Sequence, residues 1–177
     1  CPSNKENKYE LPKNILYGNC LDAYIGYSVS EKIRKKSQSG GVVTSLLVYL
    51  LDNKLIEGAI VTQFDSETAR PKAKFATTTD EIINASGSYY AQTSVINTIM
   101  KNNDKLMAVT ALGCQAESLH LIKKKFQKIK QPEYVIGLIC AEQCSGWMID
   151  DIIKQAHIDQ TKEKIFSFRF RSKAVGG

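Results

Sequence analysis

The chain has no apolar run approaching the ~20 residues of a membrane-spanning helix, so no transmembrane segment is predicted. Histidine is scarce: His120 and His157 stand alone, which leaves no multi-histidine metal site and no obvious general base. Tryptophan occurs once and aromatics make up only 8% of the residues. A nucleic-acid-binding surface would want more arginine and exposed aromatic partners than this mostly lysine set offers, so none is expected. The five cysteines are odd in number and widely spaced, so they form no disulfide framework. Free thiols in such a chain point to a reducing, cytoplasmic setting. No signal peptide is recognisable, and no internal repeat or low-complexity segment is present. The chain opens on Cys1-Pro2 rather than Met, so both ends read as cuts.

What is present is enough for one good core. The 177 residues are 43% hydrophobic and 24% charged, the balance of a globular domain. The formal net charge of +6 is spread out except at Lys123, Lys124, Lys125, Lys128 and Lys130. Leu121, Ile122, Phe126 and Ile129 interleave with them, the pattern of an amphipathic helix with a solvated basic face. Such a face also suits an acidic electron-transfer partner. Residues 1–30 are Asn- and Lys-rich and read as a lead-in segment, followed by one α/β module over 31–177. Helices are predicted over 31–36, 42–53, 81–85, 94–102, 116–126 and 145–155. Strands are predicted over 59–64, 71–77, 106–112 and 134–139, with a half-buried strand over 164–171. Strands alternating with helices give an α/β fold with a mostly parallel or mixed sheet flanked by helices, in a single domain.

The most informative stretch is Ser37-Gln38-Ser39-Gly40-Gly41-Val42-Val43-Thr44. It sets hydroxyls and two glycines directly before an apolar helix. The first-turn N–H groups of a helix lack intrahelical partners, and small residues before them admit a phosphate or carboxylate. An ordinary Ser/Gly cap leaves the same trace. Cys114 and Cys140 each follow a predicted strand, the end where ligands gather in α/β folds. Cys144 lies four residues beyond Cys140, and Cys20 is remote. A cubane iron–sulfur cluster needs four thiolates, yet buried cysteines are also common as small hydrophobes. Residues 166, 168 and 170 form a phenylalanine stripe, with Arg169, Arg171 and Lys173 alternating against it and available to a polyanionic cofactor.

Five segments taken together resemble the beta subunits of coenzyme F420 hydrogenases and dehydrogenases. They are IRKKSQSGGVVT with LLVYLLDNKLIEGAIV (residues 33–61), ASGSYY (85–90), AVTALGCQ (108–115), YVIGLIC (134–140) and FRFRSKAVGG (168–177). The resemblance runs in order over about residues 20–177 and implies a truncated N-terminal module. It implies FAD, a [4Fe–4S] cluster, coenzyme F420 as a possible substrate, and a redox partner subunit or ferredoxin. It sets Ser37, Ser39, Gly40, Gly41 and Thr44 on the flavin-side loop. Gly87, Ser88 and Tyr90 fall on a second glycine loop, and Cys114, Cys140 and Cys144 on or near cluster-ligand positions. The ligand set is incomplete in this chain. Gly113 and Tyr89 depart from the family pattern, where proline and lysine are usual. Cys1-Pro2 suits either the end of a ferredoxin-type segment or an unrelated boundary.

Two functions follow. One is a fragment of a flavin- and iron–sulfur-dependent oxidoreductase subunit, inactive alone, that moves electrons between reduced F420 or ferredoxin and a partner enzyme. The other is a non-catalytic α/β docking module for an electron-transfer partner.

Overall fold

The computed structural model describes residues 20–126, 129–140 and 143–171. The Cys1-Pro2 dipeptide, Lys128 and residues 172–177 therefore lie outside the described residues. The elements in chain order are α1 (Glu31–Lys36), α2 (Val42–Asp52), β1 (Gly58–Asp65), β2 (Arg70–Ala76), α3 (Thr79–Asn84), α4 (Val95–Lys101), β3 (Met107–Leu112), α5 (Gly113–Lys125), β4 (Tyr134–Leu138) and α6 (Trp147–Gln155).

Local chemistry explains several boundaries. Ser30 caps α1 by accepting from the Ile33 N–H, with Glu31 in the first turn and Arg34, Lys35 and Lys36 in the last. That charge order complements the helix dipole. Thr78 caps α3 by accepting from the Glu81 N–H, two residues earlier than the predicted start. Helix α5 begins at Gly113 rather than Ala116. The Gln115 side chain turns back to accept from the Leu112 N–H at 2.9 Å, so the expected turn is already the first helical turn.

The strands form one sheet in the order β2-β1-β3-β4. β1 pairs antiparallel with β2 and parallel with β3, and β3 pairs parallel with β4. The sheet is thus mixed, as expected. Side chains alternate across it. Ala59, Val61 and Ala108 join Leu47, Leu50 and Ile82 on the face covered by α2 and α3. Ile60, Met107, Val109 and Ala111 join Val95, Ile99 and Leu119 on the face covered by α4 and α5. Each large apolar side chain so buried contributes about 1.5–3 kcal/mol. Gly58 lets β2 approach, since a Cβ there would lie 2.6 Å from the Ala76 carbonyl oxygen. A smaller cluster around Ile149 and Ile153 of α6 takes in Ala69, Ala91, Phe64, Ile165 and Phe170.

One predicted strand is absent: residues 164–171 form no ladder. Their alternation has another cause. Phe168 and Phe170 pack on rings of the main body, while Phe166 on the same parity stays 78% exposed.

Candidate functional site

The first glycine loop connects α1 to α2. Gly41 is the N-cap of α2, in the left-handed region at φ 76°, and no side chain caps the helix. The N–H groups of its first turn are therefore left for whatever approaches. The reason for glycine here is partly internal. A Cβ on Gly41 would lie 2.8 Å from Ile33 Cγ2 and 2.9 Å from Ser37 Oγ. A Cβ on Gly40 would lie 3.0 Å from the Gly26 carbonyl oxygen. The Gly40 carbonyl in turn accepts from the Ser28 N–H at 2.7 Å. The two glycines thus let the lead-in segment and α1 pack against the loop, a constraint that exists before any ligand does.

Hydroxyls surround this turn. Ser45 Oγ donates to Ser28 Oγ at 2.7 Å, and Arg34 donates to the Ser28 carbonyl at 2.6 Å. Ser37 is only 6% exposed, and its Oγ has no hydrogen-bond partner among the described residues. A buried hydroxyl without a partner carries a desolvation cost that most proteins avoid.

The second glycine loop, residues 86–90, closes on the first. The Ser88 N–H donates to Gln38 Oε1 at 3.0 Å, and Thr44 Oγ1 shares a 2.9 Å hydrogen bond with Ser86 Oγ. Gly87 sits at φ 142°, which suits glycine. The structure therefore brings together both predicted loops, including Ser37, Gly40, Gly41, Thr44, Gly87 and Ser88. Ser39 is exposed at the loop surface. Sequence reading missed Ser28, Gln38, Ser45 and Ser86. Gln38 lay inside the motif, whereas Ser28 carried no local signal because its partners lie up to 17 residues away.

Aromatic packing supports the second loop. Tyr90 meets Phe170 edge-on with centroids 5.2 Å apart. Phe170 meets Phe168 at 4.8 Å, and Phe168 stacks on Phe64 at 6.2 Å. Burial pushes the Tyr89 hydroxyl above its ordinary value. A backbone hydrogen bond from Phe64 and the Arg169 charge pull it partly back.

The thiols are arranged differently. Leu112 and Leu138 are partners at the ends of adjacent parallel strands, so Cys114 and Cys140 follow at the same end of the sheet. Both are exposed. Cys144 is half-buried beside the second loop. Its N–H donates to the Tyr90 carbonyl at 2.7 Å, and it bridges to Ala91. Among the described residues, no three His, Cys, Asp or Glu side chains form a group that could hold a metal. The four-thiolate set of a cubane cluster is therefore not met by these residues. An open cavity of about 290 Å³ lies between residues 66–69 and 160–165.

Two family models match this chain. Residues 23–101 match the N-terminal part of the coenzyme F420 hydrogenase/dehydrogenase beta subunit, and residues 104–175 match its C-terminal part. The match thus extends beyond the N-terminal module the sequence suggested. The chain is 28% identical over 156 residues to coenzyme F420 hydrogenase subunit beta of Methanosarcina barkeri, covering 82% of this chain and 51% of that protein. It is 31% identical over 144 residues to an F420-dependent formate dehydrogenase subunit beta of Methanocaldococcus jannaschii, covering 78% and 38%. The structure is similar to a chain of the F420-reducing [NiFe] hydrogenase complex from Methanosarcina barkeri. The TM-score is 0.66 at 25% identity, over 74% of this chain and 49% of that one. The chain thus spans about half or less of the length of these relatives. With both family models matched in order and the fold shared, the chain belongs to the coenzyme F420 hydrogenase/dehydrogenase beta subunit family.

Proposed function

We propose that this chain is part of an F420-linked oxidoreductase subunit, in which the two glycine loops hold the anionic part of FAD. The subunit would move electrons between reduced F420 or ferredoxin and a partner enzyme. Relatives named for F420-dependent hydrogenase, formate dehydrogenase and sulfite reductase support the F420 linkage. The observation that carries the cofactor site is Ser37, a buried hydroxyl without a partner, beside the uncapped start of α2.

The donor chemistry fits an anion. First-turn N–H groups point out of α2 and the helix dipole favours negative charge there. The Ser37 hydroxyl adds a further donor. Gln38 and Thr44 tie the second loop against the first, so the donors are positioned before the ligand arrives. Flavin, when bound, supplies the hydride and single-electron chemistry. This chain's residues anchor one end of it and shield the loop backbone from water.

The test is Ser37→Ala with FAD titration and thermal unfolding measured together. The buried hydroxyl has no partner to lose, so the fold should be unaffected or slightly stabilised. FAD affinity should fall about tenfold. Unchanged FAD affinity in the variant would refute the site.

A second reading, a non-catalytic docking module, draws on the exposed apolar residues Leu21, Tyr24, Ile25 and Tyr27. An absorption spectrum of the protein with its natural partners separates the two. Flavin and iron–sulfur bands support the enzyme, and their absence supports the module.

A further inference from the structure

We infer that Gln38 binds the cofactor directly, its side-chain NH2 donating to a phosphate oxygen in the opening beside Gly87; the assignment rests on the FAD-loop reading above. Gln38 then has a second task besides tying the two loops together. It also fixes what the ligand presents at this point, an acceptor of hydrogen bonds and not a donor.

The orientation of the Gln38 carboxamide is set by its partner. The Ser88 N–H donates to Gln38 Oε1 at 3.0 Å. A backbone N–H can only donate, so the oxygen has to face Ser88 and the NH2 has to face elsewhere. That nitrogen has no hydrogen-bond partner among the described residues. It borders the space at Gly87. A Cβ on Gly87 would lie 3.9 Å from Gln38 Nε2 and would meet nothing else within 4 Å beyond its chain neighbours. Glycine at this position, with φ 142°, keeps that space clear. Gly87 and Ser88 are exposed and Gln38 is half-buried, so a ligand can reach the NH2 while the side chain stays held. Three neutral donors thus stand in one short stretch: the buried Ser37 hydroxyl, the Gln38 NH2 and the first-turn N–H groups of α2 after Gly41. Unmatched donors call for a ligand rich in acceptors, and a phosphate offers several oxygens around one centre. Glutamine suits the position where lysine would not. It accepts from Ser88 and donates to the ligand at once, whereas an ammonium only donates.

Two substitutions in the full chain separate holding the loops from binding the ligand. Gln38→Glu keeps an acceptor for the Ser88 N–H but removes the donor, and Gln38→Met, of similar length, loses both. Thermal unfolding without ligand is measured beside titration with FAD and with riboflavin, which carries no phosphate. Gln38→Glu should unfold close to the unsubstituted chain and Gln38→Met at a lower temperature. FAD affinity should run in a different order. It should fall about tenfold in Gln38→Met and about a hundredfold in Gln38→Glu, where a carboxylate meets the phosphate. The Gln38→Glu defect should shrink at high salt, because it is a charge effect. Riboflavin should bind Gln38→Glu as it binds the unsubstituted chain. FAD affinities that follow the order of stability, or an equal loss for riboflavin, would overturn the assignment and leave Gln38 as a tether, with the loop site standing. Failure of the unsubstituted chain to bind FAD at all would remove the loop reading, and the ligand role of Gln38 with it.

Discussion

The glycine-loop end of the molecule and the thiol end are built on opposite principles. At the loops, residues 28, 38, 44, 45, 86 and 88 are knitted by hydrogen bonds that span up to 50 residues of sequence. At the thiol end, Cys114 and Cys140 are exposed after adjacent strands, and Val135, Leu138 and Ile139 of the β4 edge face outward. A site whose parts are tied to one another within the chain is rigid before it is filled, and substitutions there act through the fold. A site whose parts merely share a sheet end can be altered with little effect on the fold.

The sharpest way to break this contrast is Gly41→Ala. The left-handed backbone and the 2.8 Å and 2.9 Å approaches of Ile33 and Ser37 leave no room for a methyl group. A loss of about 2–4 kcal/mol of stability is expected, measurable by urea unfolding. A loss under 0.5 kcal/mol would mean that the loop is softer than its contacts indicate. His157 offers a gain of smaller size. It ends α6 with φ 54°, and its N–H closes on the Lys154 carbonyl while Ile158 closes on Ile153. Glycine is favoured at such a position, so His157→Gly should stabilise by about 1 kcal/mol in thermal unfolding. A destabilised variant would show that the imidazole makes a contact of its own.

Acid should act on the body and not on the thiol end. The Lys74 ammonium, with the Thr77 N–H, holds the Glu81 carboxyl at about 2, below its ordinary 4.5. Its folded value is depressed, so its contribution to stability is present above pH 4.5 and lost as pH falls toward 2. Glu81→Gln should flatten the acid limb of the stability–pH curve in that window. An unchanged limb would assign acid sensitivity to other carboxylates, such as Asp65 beside Lys72. The smallest effect is expected at the thiols. Cys114→Ser and Cys140→Ser should each change stability by less than about 0.5 kcal/mol, because both side chains are exposed. A larger loss would show that the thiol end is as closely tied as the loops.

Much of this architecture was legible in the sequence. The apolar spacing of Leu47 and Leu50 placed α2, and the short apolar runs around Ile60 and Val109 placed two central strands. Both glycine stretches were legible as loops between elements, although an ordinary Ser/Gly cap leaves the same trace as a ligand loop. Three things were not. The start of α5 turned on one side chain, Gln115, reaching back to Leu112. The 164–171 stripe imitated a strand, because rings packed at every second residue give the same period as a ladder. The hydroxyl partners Ser28 and Ser86 were invisible, since a hydrogen bond between distant serines leaves no pattern in either segment.

The sheet also crosses a boundary that the family models draw. Residues 23–101 and 104–175 match different models, yet β1 from the first pairs with β3 from the second, Gly58 with Met107 through Ile60 with Val109. At the same seam Glu57 exchanges hydrogen bonds with Leu106 through both its backbone and its carboxylate. Ile60, Val95 and Ile99 on one side share a core with Met107, Val109 and Leu119 on the other. The two family segments are therefore one cooperative unit. A gene split between codons 102 and 103 should yield two polypeptides that are each insoluble alone and that reassemble only when expressed together.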